Sequence, residues 1–132
     1  MNEDTKAAAQ AGSYGRKLLF TTPGIGREEL AYLITGAVRS IGDEIGRRRG
    51  MLIGHVKAFL SVPGGSLQVN LVDLDLGTEK NDRLPAGKIM EGEIKFMAAA
   101  VGVDDAALEE IFQNSLEPLR NKLEMGIMAH KR

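Results

Sequence analysis

The sequence predicts an α+β fold: a two-layer sandwich in which a three-stranded antiparallel sheet carries two helices on one face, in the order α-β-β-β-α. Three observations predict it. Two alternating apolar runs flank Pro63-Gly64-Gly65 within the stretch Met51 to Leu76, the signature of a β-hairpin. An apolar stripe with three- and four-residue steps runs from Arg27 to Arg49 before the hairpin. A second such stripe follows Asp104.

Residues 1–15 are rich in Ala, Gly and small polar side chains without apolar periodicity, and read as a disordered leader. Lys17 to Thr22 reads as a short extra strand or an extended arm on the core, closed by Pro23-Gly24. From there, 16–125 is expected to form a single domain, with 126–132 as a flexible tail.

In the first helix Leu30, Leu33, Ile34, Ala37, Val38, Ile41 and Ile45 make the stripe. Glu28 and Glu29 at its start and Arg47, Arg48 and Arg49 at its end complement the helix dipole, and Gly50 suits its terminus. Gly36, Gly42 and Gly46 weaken a helix, so close packing against a neighbour is the reason expected for them.

On the first hairpin strand Leu52, Gly54, Val56, Ala58, Leu60 and Val62 share the core face. Ile53, His55, Lys57 and Phe59 share the other. The second strand changes phase, from Leu67, Val69 and Leu71 to Val72, Leu74 and Leu76, which calls for a β-bulge near Leu71–Val72. Gly77 to Lys88 reads as a polar loop. A third strand runs from Ile89 to Val101, and Asp104 caps the second helix, whose pattern Pro118 interrupts. This order resembles the layout of double-stranded-RNA-binding domains. Those domains meet phosphate with a basic start to their second helix. Here that start is Asp104-Asp105-Ala106-Ala107-Leu108-Glu109-Glu110, so the resemblance implies layout alone.

A chain of 132 residues with a formal net charge of −1 has no overall field to draw it onto nucleic acid or an anionic membrane. It contains no cysteine, which excludes disulfides, thiolate metal sites and cysteine nucleophiles and fits a reducing, cytoplasmic setting. No apolar run is long enough to span a bilayer.

Candidate chemistry gathers on the hairpin's polar face. Asp73 and Asp75, with Glu91 and Glu93 of the third strand and His55 nearby, form the kind of oxygen-rich set that takes a divalent metal. His55 has no matched Ser or Thr nucleophile, and His130 lies in the tail, so no catalytic residue is assigned. Gly24-Ile25-Gly26 before a helix lacks the Lys-Ser/Thr of a phosphate loop and reads as a turn. The ligand- or interface-forming residues are taken as His55, Lys57, Phe59, Gln68, Asn70 and Arg83. The expected function is a cytoplasmic, self-associating binding or accessory protein without catalytic activity, its copies meeting through the exposed sheet face or edge. The alternative is a small metal- or ligand-dependent enzyme using His55 with Asp73, Asp75, Glu91 and Glu93.

Overall fold

A computed structural model describes residues 12–48, 50–102 and 104–131, with side chains as far as 123. The order is β1 (Gly12–Gly26), α1 (Arg27–Arg47), β2 (Leu52–Val62), β3 (Gly65–Leu71), β4 (Thr78–Arg83), β5 (Lys88–Val101) and α2 (Asp105–Lys131). The strands form one antiparallel sheet in the order β1-β5-β2-β3-β4. The α+β class stands, but the sheet has five strands rather than three, and the layout shared with double-stranded-RNA-binding domains is lost.

Of the two additional strands, β1 contains the short N-terminal strand expected over Lys17 to Thr22, whereas β4 lies where the side-chain pattern is silent. β4 is Thr-Glu-Lys-Asn-Asp-Arg, with no apolar alternation, and lies where a loop was expected over Gly77 to Lys88. It exists because its backbone pairs with β3, from Ser66–Arg83 to Leu71–Thr78. Among the described residues no helix packs over its inner side, so Thr78, Lys80 and Asp82 need not be apolar. β1 begins at Gly12, so 12–15 are strand rather than leader; the rest of that leader lies outside the described residues. The strand pairs with β5 over Gly12 to Thr21 and again at Ile25 and Gly26, and sends Tyr14, Leu18, Phe20 and Ile25 toward the core. Pro23 lacks an N–H, and the register shifts between Thr21 and Ile25, where Thr22 Oγ1 accepts the Gly24 N–H at 3.4 Å.

The hairpin turn is as its residues dictate. Pro63 and Gly64 occupy the two central positions between paired Val62 and Gly65, and Gly64 takes φ +85°, a value suited to glycine. The phase change is resolved differently. The irregularity lies in β2, between Ile53 and His55, not in the second hairpin strand. It turns Ile53 to the core and Leu52 out to solvent, at 68% exposure. The chain leaves the sheet at Leu71. Val72 and Leu76 are exposed, and Leu74 alone folds back onto the core.

Both helices pack on the face made by Val56, Ala58, Leu60, Leu67, Val69, Leu71, Ile94, Phe96, Ala98 and Ala100. Helix α1 lies mainly over β2 and β3 and α2 over β1, where Phe112 meets Tyr14 edge-to-face with centroids 4.8 Å apart. The helices run antiparallel, as Arg48–Glu110, Ser40–Ser115 and Lys122–Glu29 contacts show. Asp104 caps α2 by accepting the Ala107 N–H at 2.9 Å, and α2 continues through Pro118 and beyond Gly126. The side chain of His130, and Arg49 of the arginine run, lie outside the described residues.

Two of the three α1 glycines are packing residues. A Cβ at Gly42 would collide with the Leu71 side chain, and one at Gly46 would sit 2.8 Å from Leu74 Cδ1. A Cβ at Gly36 would meet nothing within 4 Å. The two sites therefore respond to alanine with opposite signs. Gly42→Ala should cost about 1–3 kcal/mol by overpacking. Gly36→Ala should add roughly 0.5–1 kcal/mol through helix propensity. Urea melts of both variants check the pair.

Candidate functional site

In each strand of a half-buried sheet alternate side chains face away from the core, and here the described residues place no element over that second face. The register maps it row by row. Gly15, Met97, Lys57, Asn70 and Glu79 form one row from β1 to β4. Lys17, Lys95, Phe59, Gln68 and Asn81 form the next, and Leu19, Glu93, Ser61, Ser66 and Arg83 a third. Ser13, Ala99 and His55 lie at one end, and Thr21 with Glu91 at the other.

This arrangement unites one set of expected residues and disperses the other. His55, Lys57, Phe59, Gln68, Asn70 and Arg83 all lie on the open face. Phe59 is 44% exposed and Met97, one row away on β5, 47%. Leu19, 69% exposed, extends the apolar part along β1. Lys17 pairs with Glu93 at 3.3 Å. Lys57 and Lys95 have no ion-pair partner among the described residues.

The carboxylates do not converge. β5 pairs with β1 and β2, whereas β3 lies on the far side of β2, so Glu91 and Glu93 are not beside Asp73 and Asp75. Asp73 follows Leu71, which stands opposite Val56 and so in line with Ala98. Glu93 is five residues from Ala98, about 17 Å along the strand. Asp73 is in a turn, its Oδ1 accepting the Asp75 N–H at 2.8 Å and its carbonyl accepting the Gly77 N–H at 3.1 Å. Among the described residues no three His, Asp or Glu side chains group to hold a metal. His55 makes no side-chain hydrogen bond or ion pair among the described residues.

The opposite layer holds a feature the sequence did not announce. A depression of about 720 Å³ crosses α1 at Gly36, from the bare inner side of β4 to the flank of α2. Thr78, Lys80 and Asp82 line one end, and Asn114, Ser115, Pro118 and Leu119 the other. The missing Cβ of Gly36 was the available signal, but it is legible only once β4 is known to be a strand with no helix above it.

Asp82 ties that end together. Its Oδ1 accepts the Leu84 N–H at 3.0 Å and an Arg27 Nη2–H at 2.9 Å. The Leu84 N–H foremost holds its carboxyl below the ordinary Asp value; burial, next in size, opposes this, and Arg27 and the nearby Lys80 add to the lowering.

Compared with known proteins, the chain matches no family model, no curated protein and no solved structure.

Because the folded-state pKa of Asp82 is depressed, its contribution is present above the ordinary Asp value and is lost as pH falls through the folded one. Asp82→Ala should therefore cost about 0.5–1 kcal/mol near pH 7, an exposed pair being screened by water. The difference from the parent should shrink as pH drops below about 4 in thermal melts.

Proposed function

We propose that this protein is a non-catalytic binding or accessory protein that works as a homodimer, two copies stacking through their open sheet faces. The observation that carries this is the face itself: five strands wide, with Leu19, Phe59 and Met97 exposed among amides and two lysines that make no ion pair among the described residues. A cluster of exposed apolar side chains rimmed by polar ones is characteristic of an association surface.

The edges are poorer candidates. β4 is short and carries Glu79, Lys80, Asp82 and Arg83, and β1 is broken by the irregularity at Pro23-Gly24. Charges, shortness and bulges are what keep edge strands from pairing with other chains. Four strand spacings and six residues along each strand make a face of roughly 20 by 20 Å. Two such rough surfaces bury on the order of 1,000 Å², the threshold for a specific interface.

Charge selects the register. Stacking with the Phe59 row centred on itself would set Lys95 over its own copy. Moving the two-fold axis to lie between the Phe59 and Ser61 rows sets Lys95 over the second copy's Glu93 instead. Like charges are separated and opposite ones face each other. We place the protein in the cytoplasm, in line with a chain free of cysteine. No helix among the described residues is long and apolar enough to cross a membrane.

Light scattering on the full chain should give twice the chain mass. Phe59→Asp should weaken the dimer about 100-fold or more, as losing a central aromatic anchor does. Lys95→Glu should also weaken it, and Glu93→Lys combined with Lys95→Glu should restore it. A parent protein that remains monomeric at about 100 μM, a concentration that populates even weak specific dimers, sinks the reading.

A further inference from the structure

The depression over α1 lies in the helical layer, away from the sheet face proposed to pair, and its chemistry is different. Its walls are mostly apolar: Ala31, Leu33, Ala37, Pro118 and Leu119, beside the ring of Tyr32, which is 78% exposed. About 720 Å³ is within the range of roughly 300–1,000 Å³ that small-molecule sites occupy. The notch at its centre exists because Gly36 has no side chain, and a glycine in mid-helix is otherwise a loss.

The polar groups around it are mostly committed elsewhere. Asp82 holds Arg27 and the Leu84 N–H, Arg39 holds Asp43 at 3.5 Å, and Ser40 donates to Ser115 at 2.9 Å. Two groups are not. Lys80 stands opposite Val69, whose side chain is in the core, so it rises on the helix side of the sheet at the depression's end. It makes no ion pair among the described residues. Thr35 Oγ1 is buried in the wall with no hydrogen-bond partner there. A threonine in a helix has two accessible χ1 wells, so its hydroxyl and methyl can exchange places and present the oxygen to a ligand. Glu28 also lines the depression and makes no ion pair among the described residues.

We infer that the depression over Gly36 binds an amphipathic small carboxylate. Its apolar body lies across α1 between Tyr32 and Leu119, its anionic end meets Lys80, and Thr35 supplies a hydrogen bond. An apolar trough whose end carries a lysine with no ion pair among the described residues matches that polarity, and the orphaned hydroxyl gains the partner a buried polar atom requires.

Decanoate is the probe, titrated into the ¹⁵N-labelled full chain. Saturable shifts should centre on Tyr32, Thr35 and Gly36, with a dissociation constant below about 1 mM. Lys80→Met should weaken decanoate binding about tenfold, the scale of one charge-assisted hydrogen bond. Decyltrimethylammonium should bind more weakly than decanoate. Gly36→Met should abolish binding while its melting temperature stays at or above the parent's, because that side chain enters open space. Four results would overturn the inference: no saturation, equal binding by the Lys80→Met variant, tighter binding of the ammonium probe, or shifts centred on Phe59 and Met97. The last would also show the sheet face to be accessible to small amphiphiles, a result separable from the dimer measurement.

Discussion

Strand β5 is the constraint on which the rest of this molecule depends. It is an interior strand of the sheet, paired with β1 from Lys88 to Ala100 and with β2 from Glu93 to Val101. β3 and β4 take their registers from β2 and therefore from it. Side chains alternate strictly along a strand, so placing Ile94, Phe96, Ala98 and Ala100 inward determines the outward face of the entire sheet. Lys95 and Met97 are on the open face for that reason alone.

The irregularities in β1 and β2 keep that rule intact where the sequence would break it. β2 enters with Leu52 and Ile53 in the wrong order for its partner, and the irregularity before His55 corrects the phase. A Cβ at Gly54 would lie 2.9 Å from the Ala99 carbonyl oxygen, so the correction also requires close backbone approach there. Helix α1 is held to the same standard. Its apolar stripe reaches the sheet because Gly42 and Gly46 admit Leu71 and Leu74, and the turn formed by Asp73 delivers Leu74 to that position.

The two layers consequently offer different surfaces. The sheet presents a broad, shallow face with apolar side chains scattered among lysines and amides, suited to another large surface. The helical layer stops short of β4 and leaves a depression with Lys80 at its end, a lysine with no ion pair among the described residues. Both follow from one circumstance: the two helices among the described residues pack on one side of the five-stranded sheet without packing over β4, and no described element covers the other side.

The sequence by itself determined the class, the two helices, the Pro63-Gly64 hairpin and the face on which His55, Lys57, Phe59, Gln68 and Asn70 lie. Those depend on local periodicity and turn chemistry, which are written in consecutive residues. Tertiary structure alone decided the sheet's width, the partner of each strand and the fate of the acidic set. Thr78–Arg83 has no strand pattern of its own, because an edge strand with no helix above it needs backbone hydrogen bonds rather than apolar side chains. Asp73, Asp75, Glu91 and Glu93 looked convergent only while the third strand was assumed to lie beside the second. Once β5 is inserted between β1 and β2, the same alternation that grouped the lysines with Phe59 leaves those carboxylates apart.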